Sequence, residues 1–101
     1  MAIIILDTET TDKDEGKRLI QLAYKNMETG EFVNEYFKPP MPISFGAMAV
    51  HHVTNEMVAD KKPFDESEQK ASVAELLKEN ILVAHNALFD IQVLKNEGLE
   101  I

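Results

Sequence analysis

Cysteine is absent from this sequence, and glycine and proline are scarce, with four of each among 101 residues. Without cysteine the chain has no disulfide bond, thiolate metal ligand or catalytic thiol, which excludes disulfide scaffolds and thiol enzymes. The absence also fits a reducing compartment, and we expect a cytoplasmic protein. Because 45% of the residues are hydrophobic, residues 1–101 are expected to form one small folded domain rather than a disordered tail.

An excess of basic charge and long hydrophobic runs are also lacking. Ten Lys and Arg residues stand against 18 Asp and Glu residues, for a formal net charge of −8. This charge argues against holding nucleic acid by bulk electrostatic attraction, so any such binding must be local. The longest apolar run, residues 2–6, is too short to cross a bilayer, and no signal-peptide pattern is present. We therefore expect no membrane partner.

Four segments have the pattern of β-strands. Residues 2–6 are apolar and β-branched on both alternating faces, which is typical of a strand buried in the middle of a sheet. Residues 18–25 and 32–37 predict two further strands, joined by a turn at 27–30 as a hairpin. Residues 81–84 are again apolar without polar alternation, which predicts a strand parallel to the first.

Helices are predicted between and after these strands. The proline-rich residues 38–42 lack the amides that a ladder needs, so the sheet must stop there, and irregular or short helical structure is expected to about Lys62. Apolar residues recur at helical spacing over 71–77, which predicts an amphipathic crossover helix. A last helix is expected over 89–94, with Gly98 ending it in a left-handed cap.

Acidic side chains follow both of the strongly apolar strands. Asp7 and Glu9 lie two residues apart, so strand alternation projects both to the same side of the sheet. On their own they are also explained as the polar end of a strand in an acidic chain. Asp90 follows the fourth strand, and parallel neighbours bring their carboxyl ends to one edge. Three converging carboxylates need a counter-charge, which Mg²⁺ or Mn²⁺ can supply for phosphoryl transfer.

Three motifs occur in order along the chain: DTETT at residues 7–11, VHHVT at 50–54 and VAHNALFD at 83–90. Together they resemble the DEDD superfamily of 3′-to-5′ exonucleases, in particular the branch that contains the proofreading subunit of bacterial replicative DNA polymerase. The resemblance covers nearly the whole chain. It implies a ribonuclease H-like α/β fold, a mixed sheet of three antiparallel strands and one parallel strand with flanking helices, truncated before the family's fifth strand.

The resemblance also implies an activity and the residues that perform it. The expected activity is metal-dependent hydrolysis at the 3′ end of single-stranded nucleic acid, with a DNA polymerase subunit as a partner. Three residues would carry catalysis and bind two Mg²⁺ or Mn²⁺ ions: Asp7, Glu9 and Asp90. Five residues would contact the scissile or terminal nucleotide: Thr8, Thr10, His51, Asn86 and Phe89. On residue type alone, Phe89 is more often a core side chain and His51 part of a solvated turn.

The sequence departs from the family's pattern at several positions, including Asp12 where glycine is common and Gln21 where glutamate is common. The family usually has glycine where this chain has His52. The family's third motif, a histidine or tyrosine followed by a fourth carboxylate, has no counterpart before Ile101. No general base can be assigned, so impaired turnover is expected, with a non-catalytic fragment or assembly module as the alternative. The missing fifth strand predicts an exposed edge on the fourth strand, through which a homodimer would form.

Overall fold

The computed structural model describes residues 1–100, whose strands form one four-stranded sheet in the order β3-β2-β1-β4. Strands β1 (Ile3–Thr10), β2 (Leu19–Asn26) and β3 (Phe32–Tyr36) are antiparallel neighbours, whereas β4 (Ile81–Val83) is parallel to β1. The predicted mixed sheet is confirmed, including the interior position of β1 and the parallel pair.

Four α-helices connect and follow the strands. The region predicted to be irregular or short helical contains two short helices, α1 (Phe45–His51) and α2 (Asn55–Val58), and a 3-10 turn follows at Phe64–Glu66. The predicted amphipathic crossover helix is α3 (Glu68–Glu79), and the predicted last helix is α4 (Ala87–Asn96). Within residues 1–100, no helix is long and apolar enough to cross a membrane.

The ends of α4 are set by local side-chain and backbone chemistry. The Asn86 side-chain oxygen accepts a hydrogen bond from the backbone N–H of Phe89 at 3.4 Å and so caps the first turn. After the helix, Gly98 has φ +93°, which is the predicted left-handed ending. The cap fixes the point at which the turn carrying Asp90 begins.

The main core lies between the sheet and the two longer helices. Ile4 and Leu6 of β1, and Leu22 and Tyr24 of β2, point to this covered face, where they pack against α3 and α4. The buried side chains of this layer include Ile4, Leu6, Leu22, Tyr24, Val73, Val93 and Leu94. Burying each large apolar side chain contributes about 1.5–3 kcal/mol. A smaller cluster, comprising Ile20, Ile43, Val53 and Val58, attaches α1 and α2 to the start of β2.

The other face of the sheet, called the bare face below, is largely uncovered by residues 1–100. Ile4 is fully buried, whereas its neighbour Ile5 is 46% exposed. Five large apolar side chains share this exposure on the bare face: Ile3, Ile5, Phe32, Ile81 and Val83. The first strand therefore lies inside the sheet as predicted, but helices cover only one of its two apolar faces.

Candidate active site

Two of the predicted acidic ligands lie on the last half of β1. Strand β4 pairs only with Ile3, Ile4 and Ile5, so the residues of β1 beyond them have no partner in β4. By alternation, Asp7 and Glu9 point to the same side of the strand as Ile5. Asp7 is exposed and Glu9 is half-buried, which leaves both carboxylates open to a ligand.

The third predicted ligand reaches β1 from the covered face. Asp90 lies in the first turn of α4 and is only 3% exposed. The Thr8 hydroxyl, which points to the covered face, donates a hydrogen bond to Asp90 Oδ1. Asp7, Glu9 and Asp90, called the carboxylate site below, therefore lie around the end of β1 on both sides of the strand. Within residues 1–100, no group of three or more Asp, Glu or His side chains forms a cluster that could hold a metal ion.

The charges of the carboxylate site act on one another. Burial raises the pKa of Glu9, the negative charge of Asp7 raises it further, and His51 opposes the shift. Burial likewise raises the pKa of Asp90, against the lowering effect of the hydrogen bond from Thr8, and the charge of Asp7 again adds to the increase. Each effect means that the ionised form is incompletely stabilised, which a bound cation would correct.

His51 is tied into the structure through both ring nitrogens. Its Nδ1 accepts a hydrogen bond from the backbone N–H of Val53 at 3.0 Å, and its Nε2 lies 3.0 Å from the carbonyl oxygen of Thr10. Because Nδ1 is the acceptor, we assign the ring proton to Nε2, which donates to that carbonyl. His51 thereby joins the end of α1 to the end of β1, so its ring is half-buried rather than part of a solvated turn.

A cleft of about 370 Å³ opens beside Glu9, between the end of β1, α1 and the start of α4. Four of the five residues predicted to contact a nucleotide line it: Thr10, His51, Asn86 and Phe89. The fifth, Thr8, is buried and uses its hydroxyl to hold Asp90. The cleft therefore joins aromatic and amide side chains directly to one acid of the carboxylate site.

An ion pair that the sequence did not predict anchors α4. Glu97 is buried just after the helix, and its carboxylate accepts hydrogen bonds from Arg18 Nε at 2.8 Å and from a second Arg18 nitrogen at 3.1 Å. The backbone N–H of Leu19 donates to the same carboxylate at 2.9 Å. The only sequence signal was an acid continuing the apolar stripe of Val93 and Leu94. This pair joins the end of α4 to the start of β2.

Asn96 holds the loop before β2 against the same helix. Its side-chain nitrogen donates to the carbonyl oxygens of Glu15 at 2.6 Å and Lys17 at 2.9 Å. Together with the pair formed by Glu97 and Arg18, this contact defines a clasp between residues 15–18 and α4. The clasp fixes the helix that carries both Phe89 and Asp90. Nothing local in the sequence indicates it, since the partners lie about 80 residues apart.

Comparisons with known proteins give one consistent result. The family model described as Exonuclease (RNase_T) matches residues 4–101. DNA polymerase III subunit epsilon of Rickettsia prowazekii (strain Madrid E) is 34% identical over 103 residues, which cover 93% of this chain and 43% of the relative. Exodeoxyribonuclease 10 of Escherichia coli (strain K12) is 38% identical over 93 residues, which cover 89% and 39% respectively.

A solved structure agrees with these sequence relatives. Exonuclease X in complex with 5′ overhanging duplex DNA is 34% identical to this chain, with a TM-score of 0.67. The match covers 91% of this chain and 53% of that one. The fold and the family resemblance expected from the three motifs are thus confirmed, while the chain spans less than half the length of the two curated relatives.

Proposed function

Because this chain belongs to the exonuclease family whose model matches residues 4–101, we propose that it is a metal-dependent 3′-to-5′ exonuclease domain. The observation that carries the proposal is the carboxylate site, whose Glu9 lines the cleft and in which burial and the negative charge of Asp7 raise the pKa of Glu9 and of Asp90. The chain has a net charge of −8, and the carboxylate site is itself negative. A phosphate therefore binds there only when a cation makes the local electrostatic potential positive.

The donor atoms of the carboxylate site fit Mg²⁺ or Mn²⁺, since both are hard cations that prefer oxygen ligands. Exonucleases of this kind are metal dependent. We assign Asp7, Glu9 and Asp90 as the residues that hold the metal. When bound, a metal of this type lowers the pKa of an attacking water and stabilises the leaving oxygen. Thr8 orients the Asp90 carboxylate through its hydrogen bond.

The cleft beside the carboxylate site is the proposed seat of the terminal nucleotide. Phe89 and His51 offer flat rings, on which any base can stack because every base has a π-face. Asn86 and Thr10 add polar groups at the same opening. The proposed substrate is therefore the single-stranded 3′ end of DNA or RNA. The relatives named DNA polymerase III subunit epsilon make a polymerase subunit the proposed partner and the cytoplasm the proposed location.

The test uses single-stranded DNA and RNA labelled at the 5′ end, so that removal of nucleotides from the 3′ end gives a ladder. We expect a slow ladder with Mg²⁺ or Mn²⁺ and none with EDTA. Asp7→Asn should reduce the rate by about 10²-fold or more, because it removes a ligand from the charge-stabilising site. Asp60→Asn is the matched control, since Asp60 is an exposed acid far along the chain from the site.

Turnover is expected to be about 10²- to 10⁴-fold slower than that of Escherichia coli Exodeoxyribonuclease 10, because no general base is assigned in these residues. A ladder that survives Asp7→Asn would show a contaminating nuclease. The absence of any ladder with either metal, at high protein concentration, would contradict the proposal and favour the non-catalytic alternative.

We also propose a homodimer through β4. The outer edge of β4 has no strand partner within residues 1–100, and Ile81 and Val83 leave apolar surface beside it. Unpaired edges of this kind recruit a strand from another chain. Sedimentation equilibrium should show a dimer that Val83→Lys dissociates. Phe32→Lys, a substitution of the same type at the opposite edge, should leave the dimer intact; a monomer at every concentration would contradict the proposal.

A further inference from the structure

A lysine ammonium group lies over the ring of Phe89. Lys17 is only 4% exposed, although lysine is seldom buried without a charged partner. Its Nζ lies 4.4 Å from the centroid of the Phe89 ring, within the range of a cation–π interaction. None of the ion pairs formed among residues 1–100 includes Lys17. The aromatic ring is thus the group that its charge faces.

The backbone around Lys17 is fixed on both sides. Asn96 donates a hydrogen bond to the Lys17 carbonyl oxygen at 2.9 Å, and the next residue, Arg18, is paired with Glu97. Phe89 is fixed independently, because its backbone N–H is bonded to the cap residue Asn86. The clasp therefore brings the ammonium group and the ring together from two separately anchored segments.

We propose that Lys17 is a positioning residue that holds the Phe89 ring ready to stack on the terminal base, an inference that rests on the proposed function. The ring is half-buried, and the part that remains open borders the cleft beside Glu9. The attraction of the ammonium group restricts rotation of the ring in the free protein. Less conformational freedom is then lost when a base binds, which strengthens binding.

This role predicts an effect on substrate binding without an effect on the chemical step. Lys17 contacts Phe89, and none of its hydrogen bonds reaches the carboxylate site. Removing the charge should therefore raise KM and the Kd for an oligonucleotide by about three- to tenfold, the range expected for one partly buried cation–π contact. The value of kcat should change by less than about twofold, because that contact is not part of the group that acts on the phosphate.

The experiment compares Lys17→Met, which keeps the apolar stem, with Lys17→Arg, which restores a cation over the ring. The Kd for a 5′-fluorescein-labelled single-stranded oligonucleotide is measured by anisotropy, and kcat and KM are measured on the same strand. Lys17→Met should weaken binding and Lys17→Arg should bind nearly as well as the wild type. Lys61→Met is the control for loss of one exposed positive charge.

A double-mutant cycle separates positioning from general stabilisation. If Lys17 acts through the ring, Lys17→Met should have no further effect on Kd in a Phe89→Leu background. The inference would be overturned if Lys17→Met and Lys61→Met increased the Kd equally. It would also be overturned if Lys17→Met increased the Kd as much in the Phe89→Leu background as in the wild type. If the wild type neither binds nor shortens the oligonucleotide, the proposed function fails and the inference fails with it. If the wild type binds and Lys17→Met binds with the same Kd, only the inference is overturned.

One further measurement does not depend on activity. In the free protein, the ε-methylene protons of Lys17 should have upfield NMR shifts caused by the Phe89 ring current, and Phe89→Leu should abolish them. Shifts typical of a solvent-exposed lysine would overturn the inference even if Lys17→Met proved too unstable for binding measurements.

Discussion

The two faces of the same sheet differ sharply, although the same strands build both. On β1, Ile4 is fully buried beneath the helices, whereas Ile5, one residue later and of the same type, is 46% exposed. The first half of the strand, residues 3–6, contributes two large apolar side chains to each of the two faces in alternation, so this part of the sequence does not distinguish the faces. What distinguishes them is the arrival of α3 and α4 on one side only. Burial in a sheet is therefore decided by distant elements and not by the strand pattern.

The candidate active site lies where the two faces meet. Asp90 and its partner Thr8 are on the covered face and are buried, whereas Asp7 is exposed on the other side of β1. The covered face supplies a carboxylate held in place by a hydrogen bond, and the bare face leaves Asp7 accessible to a ligand. This difference predicts that substitutions on the covered face change stability first, while those on the open face change ligand binding first.

The largest expected difference between the faces is one of stability. Ile4→Ala should lower the free energy of unfolding by about 2–5 kcal/mol, because it leaves a cavity in the core. Ile5→Ala should lower it by less than about 1 kcal/mol, because the side chain is only half-buried. Urea denaturation of both variants measures the difference. Similar losses at the two positions would show that a second layer covers the bare face in solution.

The clasp provides the next largest effect. Glu97→Gln should lower the free energy of unfolding by about 1.5–3 kcal/mol. The substitution removes the negative charge that accepts three hydrogen bonds, and it leaves the Arg18 guanidinium without its ion-pair partner. Glu100→Gln, an exposed acid on the same terminal segment, is the control and should change little. A Glu97→Gln variant as stable as the wild type would mean that the ion pair contributes nothing beyond its neutral hydrogen bonds.

A pH-dependent effect is expected at Asp90. Burial raises the pKa of Asp90 above the value of 3.8 that applies to the unfolded chain. At pH values between the unfolded-state and folded-state pKa, the folded protein therefore binds more protons than the unfolded chain. The free energy of unfolding contributed by this group therefore falls as the pH rises through the folded-state pKa. In metal-free buffer, Asp90→Asn should be more stable than the wild type at neutral pH and less dependent on pH.

Denaturation curves collected in EDTA from acid to neutral pH measure this dependence, and added Mg²⁺ should stabilise the wild type more than Asp90→Asn. Parallel pH profiles for the two proteins would show that the buried carboxylate is compensated by other groups.

The smallest effect concerns backbone conformation next to the cleft. His52 caps α1 with φ +62°, in the left-handed region that favours glycine. His52→Gly should raise the free energy of unfolding by about 0.5–1 kcal/mol. Because His51 is held by its own two hydrogen bonds, the cleft should keep its shape. A destabilised variant would show that the exposed His52 ring makes a favourable contact in solution.

The sequence was sufficient for the order and direction of the strands. The turn around Gly30 and the apolar run at 81–84 are local signals, and the structure confirms the hairpin and the parallel strand that they predicted. The resemblance to exonucleases explains in turn why His52 stands out, since glycine is usual at a position that proves to have a positive φ.

Other features could not be predicted because they depend on contacts between distant residues. The bare face follows from where the helices dock, and the clasp joins Asn96 and Glu97 to a loop near residue 17. The cation–π contact between Lys17 and Phe89 is of the same kind. The motifs indicated which residues form the candidate site. They did not indicate that the Thr8 hydroxyl donates its hydrogen bond to Asp90 and does not line the cleft.

The pairing of β1 with β4 also determines the order in which the chain can fold during synthesis. Ala2 donates a backbone hydrogen bond to the Asn80 side chain at 2.7 Å, across 78 residues of sequence. During synthesis β1 therefore waits for residues 81–83, 78 residues later in the sequence, before its parallel neighbour exists. Contacts of such long range slow folding and leave apolar strands exposed in the meantime. The β4-facing edge of β1 is thus vulnerable to aggregation until residues 81–83 have emerged.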